Sequence, residues 1–192
     1  MCTSVAPVKT PDLDTLDHLL LPIRTPDATE LLGEADLELE PDDHLIDHLG
    51  KVVPEGSLIA FGQHGSGSLV ALWRRSPGTP LAQCPVIWLD SEGEPVEAIA
   101  PDFAGFLRLL PFGLGQIYDL VRKAQRMRDG GPDEDAIPVD VADLREGMAM
   151  IASELDEWVD AGLPPARDPL AIVEAAVASP FAAWFAGLPD AD

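Results

Sequence analysis

Two histidines four residues apart are the side chains with the clearest potential for chemistry in this sequence. His44 and His48 stand in His-Leu-Ile-Asp-His, between Pro41 and Gly50, residues that can open and close a helix. Positions i and i+4 share one helix face, so both imidazoles could bind one metal ion. The inverted zinc-protease motif His-x-x-Glu-His has Glu where Asp47 stands here, and Asp is one methylene shorter. A metal-dependent hydrolase using His44 and His48 is the alternative interpretation. We favour two solvated histidines, with no metal site and no cofactor.

A glycine-rich segment at residues 62–67, Gly-Gln-His-Gly-Ser-Gly, invites comparison with a phosphate-binding loop. The glycines are in a different order, no Gly-Lys-Ser/Thr follows, and the next residues are strand-like instead of helical. A hairpin turn that requires positive φ explains the glycines better. Ser66 and Ser68 lie near His64, but neither stands in Gly-x-Ser-x-Gly, and the sequence around Cys84 points to no base. We therefore expect no catalytic residue and no enzyme activity.

The chain is strongly acidic. Of its 192 residues, 34 are Asp or Glu and only 12 are Lys or Arg, which gives a formal net charge of −22. Such a surface repels nucleic-acid phosphates and anionic membranes, so neither is an expected partner. A basic protein would be attracted, mainly through faster association. The alternative is that the acidity only maintains solubility or reflects the host.

Cysteine usage and hydropathy indicate a cytoplasmic protein. Cys2 and Cys84 do not form a disulfide framework, which fits a reducing compartment. The first residues lack the basic region and apolar stretch of a signal peptide. No apolar run approaches the roughly 20 residues needed to span a bilayer.

Hydrophobic periodicity predicts four strands in the middle of the chain and helices around them. The expected strands are residues 57–62, 68–74, 86–90 and 95–99, and their tight turns favour an antiparallel meander. Apolar residues spaced by three and four predict helices at residues 13–21, 41–50, 102–110, 114–128, 141–158 and 169–186, the last bent near Pro180. The predicted fold class is α+β, with an antiparallel or mixed sheet flanked by helices and a helical C-terminal extension.

The expected core combines apolar strand residues with one helix face. It consists of Leu58, Ile59, Phe61, Leu69, Ala71, Val86, Ile87 and Trp88, covered by Phe103, Phe106 and Leu107. The acidic Gly-Gly-Pro segment at residues 129–137 predicts an exposed connection, because it has too little apolar surface to bury.

Four consecutive segments carry a family resemblance. They are a strand at 58–62, a glycine turn and strand at 65–70, a strand with an aromatic and an acid at 85–90, and a Phe-x-x-Phe-Leu helix at 100–107. In order and spacing, the stretch 54–110 resembles the SUKH superfamily, also called Smi/Knr-like. Gln63 and His64 replace the acid that usually precedes the glycine turn, and residues 113–192 match no part of the family.

The resemblance implies one α+β domain over residues 1–192, with a SUKH-like core at about 40–112 and a helical extension at 113–192. It implies no enzymatic activity. Bacterial members are regarded as immunity proteins that bind and neutralise toxins, often nucleases, and eukaryotic members as regulatory scaffolds. A strong negative charge suits a basic nuclease toxin. We therefore predict a non-catalytic protein-binding module, an immunity protein that neutralises a toxin.

Loops on a rigid sheet commonly carry binding, which makes the loops at 62–67 and 76–84 and the turn at 90–94 the candidate contacts. The acids among them would supply negative charge to a basic partner. The predicted partner-binding residues are Gln63, His64, Ser66, Asp90, Glu92 and Glu94.

Overall fold

The computed structural model describes residues 11–20, 23–24, 32–33, 35–39, 49–91, 97–130 and 168–191. Several predictions from the sequence fall elsewhere. The residues outside the described ranges include His44 and His48, the helix expected at 141–158, Glu92 and Glu94, and residues 131–137 of the expected connection.

The centre of the molecule is a five-stranded antiparallel sheet in which neighbours in sequence are neighbours in space. The strands are β1 (Leu37–Glu38), β2 (Leu58–His64), β3 (Leu69–Trp73), β4 (Val86–Leu89) and β5 (Ala98–Ala100). The antiparallel form of the predicted sheet is therefore confirmed. The two-residue strand β1 was not predicted, because a segment this short has no alternating pattern to identify it. It pairs with the far end of β2, Leu37 opposite His64 and Glu38 opposite Gln63.

The hairpin that joins β2 and β3 has a three-residue loop. The His64 amide donates to the Ser68 carbonyl at 2.8 Å, and the Gly67 amide donates to the His64 carbonyl at 2.8 Å. Gly67 has φ +88°, a left-handed conformation that costs glycine little. This arrangement is typical of a turn closed by a left-handed glycine. The glycines of residues 62–67 therefore form the predicted hairpin turn.

The described helices are α1 (Pro11–Leu20), α2 (Phe103–Leu109), α3 (Leu114–Arg128), α4 (Pro169–Val177) and α5 (Phe181–Ala186). Asp102 caps α2 by accepting from the Gly105 amide at 2.6 Å. Such an N-cap satisfies one of the unpaired amides of the first turn. After α2 the chain continues through a 3-10 turn, Leu110–Phe112, since a proline at the start of a helical turn loses no hydrogen bond.

The segment expected to be one bent helix at 169–186 is two helices, with Pro180 immediately before α5. Among the described residues, Pro169–Ala186 is the stretch that is long and apolar enough to cross a membrane, with a mean hydropathy of 1.5. In the fold, α4 packs against α3 and β5. Val173, Ala176 and Val177 of α4 and Phe181 of α5 are buried in the common core.

Every residue of the predicted core is buried, with exposed fractions of 6% or less. Phe61 of β2 meets Phe103 and Phe106 edge to face, with centroids 5.7 and 5.6 Å away. All residues of β3 and β4 are buried. Successive strand residues point to opposite faces, so both faces of the sheet are covered.

A second aromatic group attaches the C-terminal part of the chain. Trp73 at the end of β3 lies 5.0 Å from Phe181 and 5.3 Å from Trp184, measured between ring centroids. Beyond α5, the Val52 amide donates to the Pro189 carbonyl at 2.8 Å. The described part of the expected helical extension thus shares one core with the sheet.

Candidate functional site

A cleft of about 320 Å³ lies at one end of the sheet, where β1 meets the β2–β3 hairpin. Two carboxylates, an amide and an imidazole give it a polar lining. The described residues that line it are Gly33, Asp36, Leu37, Glu38, Gln63, His64, Gly65 and Gly67. None of them is Lys or Arg, so the described lining is acidic.

Asp36 and His64 meet at the wall of this cleft. An Asp36 carboxylate oxygen, Oδ2, lies 3.2 Å from His64 Nε2, and the histidine side chain is only 18% exposed. Asp36 has φ +55°, an uncommon conformation for any residue except glycine, although Asp and Asn tolerate it better than most. This backbone conformation brings the Asp36 side chain back over the hairpin loop.

A chain of hydroxyl groups continues from the other side of the imidazole. His64 Nδ1 lies 2.8 Å from Ser66 Oγ, and Ser66 Oγ lies 3.1 Å from Ser68 Oγ. The Ser91 amide donates to Ser68 Oγ at 3.3 Å, and the Ser91 hydroxyl donates to the Ser66 carbonyl at 3.1 Å. These bonds fasten the hairpin loop to the residues that follow β4.

The hydrogen-bond donors around His64 define its tautomer. The Ser66 amide donates to Nδ1 at 3.2 Å, so Nδ1 carries the lone pair and Nε2 carries the hydrogen that faces Asp36. In this arrangement the imidazole accepts at Nδ1 and donates at Nε2. The described residues that line the cleft with Asp36 and Glu38 include no Lys or Arg.

Tilted aromatic contacts link His64 to Trp88 and Tyr118. Trp88 of β4 lies 5.1 Å from the His64 ring and 5.6 Å from Tyr118 of α3. The Arg122 guanidinium lies 5.6 Å from the centre of the Tyr118 ring. Trp88 and Tyr118 thus connect His64 to α3, the longest described helix.

Four predicted partner-binding residues lie at this end of the sheet. Gln63 donates to the Gly67 carbonyl at 3.4 Å, beside His64 and Ser66. Asp90 follows Leu89, which pairs with Leu69 next to the hairpin loop. The loop at 76–84 leaves the opposite end of β3, so it does not adjoin the other candidate contacts.

Sequence reasoning missed Asp36, Glu38 and Ser91. Asp36 and Glu38 are two acids among 34, and no motif marks them. They reach the site only because β1 pairs with β2 in the observed register. A serine two residues beyond a strand, such as Ser91, likewise has no recognisable signature. Pairing between distant segments supplied the missing part of the site.

Two other kinds of site, a metal centre and a reactive cysteine, find no support among the described residues. Among the residues described, no group of three or more His, Cys, Asp or Glu is placed to hold a metal ion. Cys84 is buried, and its burial raises the pKa of the thiol, an effect that Arg74 partly opposes. A protonated buried thiol is a poor nucleophile.

The basic end of α3 pairs with acids. Arg128 donates to Glu97 Oε1 at 3.3 Å, to the Val177 carbonyl at 3.0 Å and to Asp129 Oδ1 at 2.9 Å. Glu97 is buried, with 5% of its surface exposed. Arg128 therefore joins α3 to β5 and α4, and serves the fold away from the cleft.

A scan of protein-family models, a search of curated proteins and a search of solved structures each gave no match. The fold and the site define an α+β protein with an acidic cleft at the hairpin end of its sheet.

Proposed function

We propose that this protein is a protein-binding module for a basic protein partner, with the cleft end of the sheet as its contact surface. The observation that carries the proposal is the described cleft lining, which holds Asp36 and Glu38 and no Lys or Arg. A basic side chain entering the cleft would find two carboxylates. The function assigned is partner binding.

The charge of the site selects for a cation. The described lining contains the carboxylates of Asp36 and Glu38 and no Lys or Arg to offset them. A guanidinium offers several hydrogen-bond donors in a fixed plane and pairs with carboxylates more specifically than an ammonium does. Arginine is thus the side chain that best fits the cleft. The net charge of −22 would also steer a basic partner towards the protein.

The rigidity of the site favours binding. Hydrogen bonds from Ser91 to Ser66 and Ser68 hold the hairpin loop, and Trp88 contacts the His64 ring. A loop already fixed in its bound shape loses little conformational entropy when a partner docks. The exposed polar groups of the loop are thus presented on a rigid sheet, which is where binding residues commonly occur.

Within this class, the proposed role is that of a cytoplasmic immunity protein that neutralises a basic toxin, such as a nuclease. What supports this role is the SUKH-like order of segments in residues 54–110 together with the acidity of the chain. A nuclease surface built to hold phosphate is cationic, and an acidic surface complements it.

The test is association kinetics with a basic nuclease toxin, at several salt concentrations. The double variant Asp36→Asn, Glu38→Gln should lower the association rate constant about threefold to tenfold at low salt and flatten its salt dependence. The double variant Glu55→Gln, Glu174→Gln is the matched control, because it also removes two exposed carboxylates, both away from the cleft. Equal effects of the two changes would remove the cleft from the interface. A salt-independent rate would remove the electrostatic argument.

A further inference from the structure

Three side chains beside the cleft lie in the order of a nucleophile, a base and an orienting acid. Ser66 Oγ lies 2.8 Å from His64 Nδ1, and His64 Nε2 lies 3.2 Å from Asp36 Oδ2. A hydroxyl is a weak nucleophile until an adjacent base removes its proton, and the base needs a third group to fix its orientation. The sequence concealed this arrangement because Ser66 lacks the Gly-x-Ser-x-Gly signature and Asp36 is distant in the chain.

The tautomer of His64 is the one that a general base requires. The Ser66 amide donates to Nδ1, so the lone pair of the imidazole faces the Ser66 hydroxyl. The hydroxyl is closer to Nδ1 than the amide nitrogen is, 2.8 against 3.2 Å. Asp36 would stabilise the imidazolium that forms when Nδ1 accepts a proton, as the acid of a catalytic triad does.

Ser68 supports the nucleophile from its other side. Ser68 is buried, with 2% of its surface exposed, and its oxygen accepts from the Ser91 amide. When Ser66 donates to His64, Ser68 is the donor in the 3.1 Å contact between the two hydroxyls. The bonds then run in one direction, from Ser91 through Ser68 and Ser66 to His64 and Asp36. A hydrogen bond from Ser68 on one side of Ser66 Oγ favours a single orientation of the Ser66 hydroxyl, with its hydrogen towards His64 Nδ1.

We propose that Ser66 is a nucleophile that is acylated by carboxylic esters, with His64 as its base and Asp36 as the residue that positions His64. The residues on either side of Ser66, Gly65 and Gly67, both line the acidic cleft. The acyl groups that fit are therefore cationic ones, which Asp36 and Glu38 attract. This activity goes beyond partner binding and departs from the expectation of a protein without catalysis.

The reaction needs no further reactant than the ester and water. Ser66 Oγ bonds to the carbonyl carbon while its proton moves to His64 Nδ1. The bond to the leaving oxygen then breaks, and that oxygen takes the proton from Nδ1 and departs as an alcohol. Water attacks the acyl-serine, His64 accepts the water proton and returns it to Ser66 Oγ, and a carboxylic acid leaves.

The probe is p-nitrophenyl 4-guanidinobenzoate, mixed with the full chain in the absence of any partner protein. We expect a burst of up to one equivalent of p-nitrophenol, a protein mass increased by one guanidinobenzoyl group, and a peptide map that places the group on Ser66. The neutral 4-methylbenzoate and the anionic 4-carboxybenzoate esters should react more slowly, in that order. The advantage of the cationic ester should shrink as salt is added.

Variants separate catalysis from a structural role. Ser66→Ala should abolish the burst, and Ser66→Cys should retain acylation as a thioester, which protects the test against a misfolded alanine variant. His64→Gln should slow acylation about 100-fold or more. Asp36→Asn should slow acylation and change its pH profile, whereas a merely structural residue would leave that profile unchanged. Ser76→Ala is the control, since Ser76 is an exposed serine in the loop at the other end of the sheet.

Any of three results would overturn the proposal: no burst with any of the esters, acylation mapped to a residue other than Ser66, or a rate unaffected by His64→Gln. Because the assay contains no partner, each of these results leaves the binding proposal standing. A protein that is acylated at Ser66 but does not bind the partner would contradict the binding proposal and leave the acylation proposal standing.

Discussion

The carboxylate of Asp36 lies directly over the Cα of Gly65, in the space that a side chain at residue 65 would occupy. A Cβ built on Gly65 would stand 2.7 and 2.8 Å from the two Asp36 carboxylate oxygens, closer than real Cβ atoms come. The absence of a side chain in the hairpin loop is thus what allows Asp36 to reach His64.

Replacing Gly65 with Ala should displace the Asp36 carboxylate from His64 and destabilise the protein by about 1 kcal/mol or less, because that carboxylate ends an exposed side chain that can move. Urea unfolding measures the change. Gly115→Ala is a control with the opposite sign, because Gly115 is an exposed helical glycine with open space around its Cα. That change should stabilise the protein by up to about 1 kcal/mol. Equal stability of both variants with the parent would show that Asp36 does not occupy the space above Gly65.

Phe106→Ala should destabilise the protein by about 3–5 kcal/mol, because it leaves a cavity under the sheet. Phe106 is fully buried and meets Phe61 edge to face. Thermal and urea unfolding check the prediction. Met127→Ala is the control, since Met127 is 51% exposed and its loss should change stability by about 0.5 kcal/mol or less. An unchanged melting temperature for Phe106→Ala would show that α2 does not pack there.

Arg128→Met should cost about 1–3 kcal/mol, because it leaves the buried carboxylate of Glu97 without its observed donor. Adding Glu97→Gln should recover part of that loss by removing the buried charge. Urea unfolding of both single variants and the double variant gives the coupling. Lys123→Met on the same helix should change little. Additive losses in the double variant would contradict a direct interaction between Glu97 and Arg128.

Asp129 should titrate below its ordinary range in the folded protein, because its hydrogen bond from Arg128 lowers its pKa. A lowered native pKa favours the folded state above the pKa of the unfolded chain, and the contribution is lost as pH falls through the native pKa. Carboxyl carbon NMR titration measures it. Arg128→Met should return the Asp129 pKa towards its ordinary value, and Lys123→Met should not. An Asp129 pKa that stays low in Arg128→Met would show that the hydrogen bond from Arg128 is not what lowers it.

Metal analysis of the purified protein tests the hydrolase interpretation of His44 and His48. We expect no stoichiometric metal, because a zinc site needs at least three protein ligands and no motif in the sequence identifies a third beside His44 and His48. His44→Ala should therefore leave the metal content unchanged. One equivalent of zinc that disappears in His44→Ala would instead favour a metal-dependent hydrolase.

The sequence by itself determined the sheet centre and its main hairpin. The strands around Phe61, Ala71 and Ile87 are short apolar runs bounded by turn residues, and each signal is contained within about ten residues. The Phe-x-x-Phe-Leu helix that follows is equally local, since Asp102 provides its cap. Local patterns predict such elements because local sterics and burial produce them.

Only the tertiary structure decided the site. Asp36 joins His64 because β1 pairs with β2 in one register and because Asp36 adopts a positive φ, which no pattern in its neighbours predicts. The loop at 76–84 lies at the opposite end of the sheet from the hairpin loop, because successive turns of an antiparallel meander alternate between the two ends. The glycine-rich loop at 62–67 was enough to predict Gln63, His64 and Ser66 as site residues, because they are close together in sequence. The acid that completes the site comes from a distant segment, and its placement depends on the register between the two strands, which the sequence pattern of β1 is too short to specify.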